Sequence, residues 1–323
     1  MVHSIIDILS IYKAVLRIRM IEEAIADRYS EQKMRCPTHL SVGQELVPVV
    51  ISNALTNEDK VYSTHRAHAH YIAKGGDLNK LIAELHGKVT GCTAGRGGSM
   101  HLTDLNVGFI ASTAIVANSI PLAVGNALHQ KLNKQAALTV SYFGDGATEE
   151  GVFYESVNFA LLKFLPVLFV CENNKYSVYS SLSVRQPKNR KIYKLAEGLG
   201  VRAFKADGND VFDTFCATEQ AVAYIRENKG PAFIEFDTYR HRAHCGPDFD
   251  DDLNYRPPKE LNSWLNKDPI IRLEKELSTT PDWPKIQKQA KKKFESEIAQ
   301  AFKLAEEAPY PDTSTNRDFL YAK

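Results

Sequence analysis

Residues 142–176, YFGDGATEEGVFYESVNFALLKFLPVLFVCENNKY, set one carboxylate, Asp145, just after a strand-like run. Two carboxamides, Asn173 and Asn174, follow the next such run. The spacing, 174 − 145 = 29 residues, suits one turn, one helix and one returning strand. A right-handed crossover of that length brings both side chains to the same edge of a parallel sheet. Ligands of such sheets bind beyond the carboxyl ends of the strands. Gly144 and Gly146 allow close backbone approach, and the N-terminus of a helix starting at Ala147 and Thr148 would face the same edge and receive phosphate. A carboxylate oxygen with a carboxamide oxygen is a hard-donor pair. It suits magnesium or calcium, and magnesium usually completes its shell with phosphate oxygens and water.

Outward from this stretch the pattern alternates. AALTVSYF, PVLFVCE, VRAFKA and AFIEFDTY read as strands, and 148–164 and a segment capped by Asp210 (to about 228) read as helices. This predicts an α/β fold with a mainly parallel sheet and helices on both faces, occupying about 137–240. Upstream, apolar residues at helical spacing predict a helix over 5–29. Ser41 and Gln44 resemble a capping box opening a second helix over 41–55, Asp77 caps a third, and a further helix covers about 117–133. The glycine-rich 91–101 reads as a flexible connector or partner-contacting loop. It lacks the Lys-Ser/Thr that closes a phosphate-binding P-loop. Residues 241–260 read as a long polar loop, of the kind that is functional or disordered. The run Lys291–Lys293 reads as a solvated face of a charged helix over 284–308. The expected division is a helical extension (1–60), the α/β domain (61–260) and a C-terminal helical segment (261–323).

Composition narrows the function. With 40 basic and 39 acidic side chains in 323 residues, charge gives no reason to expect nucleic acid or an anionic membrane as partner. Five scattered cysteines, Cys36, Cys92, Cys171, Cys216 and Cys245, form no zinc-type or thioredoxin-type pair and fit a reducing, cytoplasmic setting. The apolar run Leu165–Cys171 is too short to span a bilayer. The N-terminal segment, with Asp7, Glu22 and Glu23, reads as a folded helix in preference to a targeting peptide.

Several blocks recur in an order that carries a resemblance: THLSVGQE (38–45), STHRAHAHYIAKG (63–75), GRGGSMHL (95–102), AIVANSIPLAVG (114–125), GDGATEEG (144–151), ENNKYSV (172–178) and YRHRAHCGP (239–247). Together they resemble the alpha subunit of the thiamine diphosphate-dependent decarboxylating component of 2-oxo acid dehydrogenases, including acetoin dehydrogenases. The resemblance implies a thiamine diphosphate-binding fold and specific roles. Asp145, Asn174 and the backbone carbonyl of Tyr176 would ligate magnesium. The backbones of Gly146 and Ala147, together with Arg66, would hold the diphosphate, and His65 stands where many relatives have tyrosine. The backbones at Ala114 and Val116 would meet the aminopyrimidine. His244 would be the active-site loop histidine, and His39 and Gln44 would lie near the entrance. The resemblance further implies a beta subunit supplying the pyrimidine-binding domain, two alpha and two beta chains, and transfer of the acyl unit of a 2-oxo acid or acetoin to a lipoyl group on an acyltransferase.

Other readings compete. His65, His68 and His70 could form a transition-metal cluster, but no carboxylate or cysteine lies at a supporting spacing nearby. Glu149 and Glu150 need no more than a helix first turn to explain them. Cys245 follows the loop histidine where some relatives carry a regulatory serine, so serine phosphorylation is excluded there, and Asp250–Asp252 alter the local field. That changed loop motivates a second function, a thiamine-dependent carbon–carbon lyase or ligase working without a lipoyl protein. A scaffold that has lost turnover is a third, opposed by the intact Asp145, Asn174 and Arg66. Ala114, Ala117 and Asn118 stand in a block where relatives often have glycine.

Overall fold

The computed structural model describes residues 7–34 and 36–318. Its centre is a six-stranded sheet in which every neighbouring pair is parallel. The strands, in chain order, are β1 (Lys60–Ser63), β2 (Phe109–Ser112), β3 (Thr139–Gly144), β4 (Val167–Asn173), a two-residue hairpin β5/β6 outside the sheet (Tyr176–Ser177, Ser180–Ser181), β7 (Arg202–Asp207) and β8 (Ala232–Asp237). The spatial order is β2-β1-β3-β4-β8-β7. All seven residues of β4 are buried, which explains its continuous apolar run: both faces of the sheet are covered. The register Thr139↔Val167 through Gly144↔Glu172 sets the ends of β3 and β4 side by side.

The sheet extends beyond the predicted span. β1 and β2 join it from the N-terminal half. At four residues each, and flanked by polar turns, they are too short to show a period of two.

On one face lie α1 (Ile8–Tyr29), α2 (Leu46–Asn53), α3 (His68–Ala73), α4 (Leu78–Leu85) and, from further along, α9 (Val211–Arg226) and α12 (Trp283–Glu307), sharing one apolar core. On the other face α5 (Ser119–Leu132), α6 (Gly151–Leu162) and α8 (Ile192–Gly198) form a second. Asp7 caps α1, accepting from Ser10 N at 3.0 Å, and residues 5 and 6 of the predicted helix lie outside the described residues. Asp77 and Asp210 cap α4 and α9 as expected. Lys291, Lys292 and Lys293 are exposed on α12.

Three expectations are corrected. The capping box at Ser41 and Gln44 does not form: α2 starts at Leu46, Gly43 has φ of +93°, and the Ser41 hydroxyl is buried without a partner. A Cβ on Gly43 would lie 2.5 Å from the Tyr239 carbonyl oxygen, so this segment bends to pass close to the strand-end loop. Second, α6 starts at Gly151, and Asp145–Glu149 is a 3₁₀ turn, so Glu149 and Glu150 do not sit inside an α-helical first turn. Third, the glycine-rich stretch is tied down. The buried carboxylate of Glu84 accepts from the N–H groups of Thr93, Gly95, Gly97 and Gly98 at 2.7–3.1 Å. A Cβ at Gly91 would sit 2.2 Å from Glu84 Oε2, and one at Gly97 2.1 Å from the His101 carbonyl oxygen.

The loop after β8 is also more ordered than its polarity implies. Asp250, 3% exposed, accepts from Arg240 Nη1 at 3.2 Å, from Arg256 and from the Tyr255 hydroxyl. Arg240, 1% exposed, also donates to the carbonyl oxygens of Val178 (2.8 Å) and Arg242 (2.9 Å). Asp251 and Asp252 are exposed, so only two of the three acidic residues colour the surface field. His241 N donates to Val42 O and Gly246 N to Thr38 O, both at 2.8 Å, which laces the loop to the segment before α2.

Candidate active site

Because the sheet is parallel throughout, the carboxyl ends of its strands share one edge. Thr64, His65 and Arg66 follow β1, Ala114, Val116 and Ala117 follow β2, and Asp145, Gly146 and Ala147 follow β3. Asn174, Tyr176, Ser177 and Val178 follow β4, and His244 lies on the loop after β8. With His39 and Gln44, these residues line one cavity of about 210 Å³. Every site residue proposed from the sequence therefore meets there, although the segments come from positions 39 to 244 of the chain.

At one end are hard oxygens. Asp145 is 2% exposed. Burial pushes its carboxyl up from the usual range, and the Arg185 guanidinium, paired with it and with Glu149, pulls the other way. Asn174 Oδ1 accepts from Tyr176 N at 3.1 Å, and its Nδ2 donates to Gln44 Oε1 at 3.3 Å, so the carboxamide orientation is fixed from both sides. Gly146 is close-packed: a Cβ there would meet Ser177 Oγ at 3.0 Å. Since Asp145–Glu149 is a 3₁₀ turn, the N–H groups of its first residues have no partner within the turn.

At the other end are imidazoles and a guanidinium. The rings of His39 and His65 stand 4.7 Å apart, His39 and His244 5.1 Å, and His65 and His244 5.4 Å. Burial, and then the charge of Arg66, lowers all three pKa values: His39 to about 2, His65 to about 3 and His244 to about 4. All three are neutral at pH 7. Arg66 donates to Leu40 O at 2.6 Å and His244 O at 3.0 Å. Burial lowers its pKa to about 10, which leaves it charged.

His68 and His70 do not join this cluster. His68 bonds Glu22 (3.0 Å) and Ser99 (2.8 Å), and His70 bonds Ser63 (2.8 Å) and Glu172 (3.1 Å), so both nitrogens of each ring are engaged in the core. Two residues escaped the sequence reading. Arg185 has no local signature, since it ends a four-residue helix (Leu182–Arg185) 185 − 145 = 40 residues from its partner. Glu172 reads in the sequence only as the end of a strand, yet it lines the cavity with Oε1 buried and unpaired.

Backbone strain gathers here. Ala117, Lys175 and Val178 have φ of +64°, +72° and +54°. A β-branched valine in the left-handed region is unfavourable, and such positions persist where surrounding structure overdetermines them, as at binding sites. Ala117 sits in the block where glycine would adopt this conformation freely. Beside it, Ile115 and Val116 are exposed apolar side chains, and Val116 lines the cavity.

A parallel α/β sheet with Asp145 and Asn174 beyond β3 and β4 is consistent with the thiamine diphosphate-binding fold that the sequence blocks imply. Over residues 12–314 the chain matches the family described as dehydrogenase E1 component, and it belongs to that family. It is 33% identical over 306 residues to the pyruvate dehydrogenase E1 component subunit alpha of Rickettsia felis, covering 93% of this chain and 91% of that protein. The corresponding subunit from Porphyra purpurea is 35% identical over 328 residues (98% and 93% covered). A mitochondrial alpha-2 subunit from Arabidopsis thaliana is 33% identical over 326 residues (98% and 80%). The resemblance drawn from the sequence blocks therefore holds. The chain is a component of a thiamine diphosphate-dependent oxidoreductase, of the alpha-subunit type.

Proposed function

We propose that this chain is the diphosphate-binding alpha subunit of a dehydrogenase that decarboxylates a pyruvate-like 2-oxo acid and passes the acyl unit to a lipoyl group. The observation that carries this is the meeting of Asp145, Asn174, Arg66 and His244 in one cavity at the carboxyl edge of the sheet. Its donor chemistry fits the cofactor. Carboxylate and carboxamide oxygens suit magnesium, a buried guanidinium suits a diphosphate, and neutral imidazoles can accept or relay a proton. Asp145, Asn174 and the Tyr176 carbonyl would hold the metal; Gly146, Ala147, Arg66 and His65 would hold the diphosphate; Ala114 and Val116 would pack at the aminopyrimidine. The metal has to take Asp145 from Arg185, which makes Arg185 a competitor for that carboxylate.

When bound, thiamine diphosphate supplies a nucleophilic carbon and an electron sink. The residues of this chain bind and orient it and manage protons. His244, neutral and held through its backbone by Arg66, would move a proton at the reacting end, with His39 beside it.

A cavity of about 210 Å³ is smaller than the ~300–1,000 Å³ that ordinarily encloses such a ligand, so this chain would hold half of the cofactor. The exposed Val116 that lines it, with the neighbouring exposed Ile115, would face a beta subunit, in an assembly of two alpha and two beta chains. The names of the relatives favour pyruvate over acetoin, and favour the oxidative route over a carbon–carbon lyase or ligase. Among the described residues no helix is long and apolar enough to cross a membrane. With all five cysteines unpaired, we place the protein in the cytoplasm.

The test is to co-purify the chain with its beta partner and measure magnesium-dependent thiamine diphosphate binding and acyl transfer with and without a lipoyl domain. Turnover of pyruvate that needs the lipoyl acceptor supports the assignment. Carboligation that ignores the acceptor overturns it.

A further inference from the structure

We propose that His39, His65 and His244 form a second metal site, for a divalent cation of the zinc class, and that its occupation excludes the cofactor. The exclusion rests on the placement of the diphosphate given above; the metal site itself does not.

The three side chains come from three separate segments: the stretch before α2, the turn after β1 and the loop after β8. One ring nitrogen from each lies within 4.8 Å of the other two. Tetrahedral zinc, with Zn–N of about 2.0–2.1 Å, needs nitrogens about 3.3 Å apart, so the longest edge closes by roughly 1.5 Å. His65 and His244 are only partly buried, so the closure falls to their side chains. His39 is the anchor: it is 7% exposed, it lines the cavity, and its Nδ1 has no hydrogen-bond partner. A buried ring nitrogen without a partner carries a desolvation cost that a metal ion would relieve. His68 and His70 show the contrast, since both nitrogens of each ring are already bonded.

Charge permits an ion here. Arg66 Nη2 stands 3.5 Å from His244 Nδ1 and opposes a cation on that side. For His244 to ligate through Nε2 its proton must sit on Nδ1, so the Arg66 contact has to open as the ion enters. Glu172 Oε1, buried and unpaired in the same cavity, offsets the guanidinium. Three imidazoles with an open fourth position suit zinc, cobalt, nickel or copper, whereas magnesium prefers the oxygens of Asp145 and Asn174. The cavity thus has two chemically different ends, and the third imidazole is the residue standing where the resemblance puts tyrosine.

The test uses the chain assembled with its beta subunit and stripped of cofactor and metal by chelation. Zinc is titrated against a chromophoric chelator, and cobalt is added as a spectroscopic reporter. The expected result is about one ion per alpha chain with a tetrahedral cobalt spectrum, and affinity at least about 100-fold weaker in His65→Tyr and His65→Asn. His129→Gln, which changes an exposed histidine on α5, should bind as the wild type does. Melting curves of both His65 variants establish that they fold. Equal zinc affinity in wild type and either folded variant overturns the site. In the second arm, thiamine diphosphate with magnesium should release the zinc. A His65-dependent zinc that stays bound beside the cofactor overturns the exclusion and, with it, the diphosphate placement, while leaving the imidazole site standing.

Discussion

Asp145 and His244 line the same cavity but are held there by different means. Asp145 follows directly from β3, and its partner Asn174 directly from β4. Two adjacent parallel strands in register carry the pair, so its geometry belongs to the backbone ladder. His244 lies seven residues beyond β8 (244 − 237 = 7), on a segment without sheet or helix. What holds that segment is a buried carboxylate, Asp250, between two buried guanidiniums, with Arg66 gripping the backbone of His244 itself. Strand ends give rigidity at little cost. A loop reaches the same rigidity only by burying charge, and buried charge is stable only while every partner is present.

That contrast can be broken most sharply at Asp145. Asp145→Ala should abolish magnesium-dependent thiamine diphosphate binding, a loss of at least about 10³-fold in calorimetric titration, because the remaining carboxamide brings no formal charge to the metal. Normal affinity in that variant would remove the strand-end site from the argument.

Asp250→Ala tests the loop. It strands Arg240 and Arg256 without their shared carboxylate, and should cost about 3–5 kcal/mol. For a chain of this size that is a fall in Tm on the order of 10 °C, accompanied by protease sensitivity around 241–256. If cofactor affinity falls equally, the two regions are not independently held.

His244→Ala should leave cofactor affinity within a few-fold and lower kcat by roughly 10²–10⁴-fold, the usual span for removing a proton-transfer group. Loss of binding in a normally folded variant would move His244 from proton transfer to cofactor anchoring.

The contrast also has a pH dependence. His39, His65 and His244 have folded pKa values of about 2, 3 and 4, below the unfolded 6.5. The unfolded chain therefore binds more protons between those limits, so stability is complete above pH 6.5 and falls as pH drops below it. Each histidine contributes a slope on the order of 1 kcal/mol per pH unit in that window. Chemical denaturation at pH 7 and pH 5 checks this, and equal stability at the two values would show that the imidazoles charge freely in the folded state. Filling the site with zinc should flatten the slope.

The strand-end half of the site was legible because its signal is local. GDG and the double asparagine each sit within a few residues of a strand end, and the 29-residue spacing between Asp145 and Asn174 implies adjacency. The helix caps at Asp77 and Asp210 were legible for the same reason. Ser41 misled because a capping pattern says nothing about a backbone bent past the Tyr239 carbonyl oxygen. Arg185 and the Asp250 clamp were illegible because each joins residues whose proximity is set by packing, with no spacing rule to expose it.

By itself the sequence determined the parallel α/β class, the paired oxygen donors and the family, since hydrophobic period, turn chemistry and block order are properties of short segments. Only the tertiary structure decided that β1 and β2 extend the sheet, that Glu84 fixes the glycine-rich stretch, and that three histidines from distant segments meet. Those features depend on distances between parts of the chain that share no local pattern. They are set by which buried polar groups find partners once the core has closed.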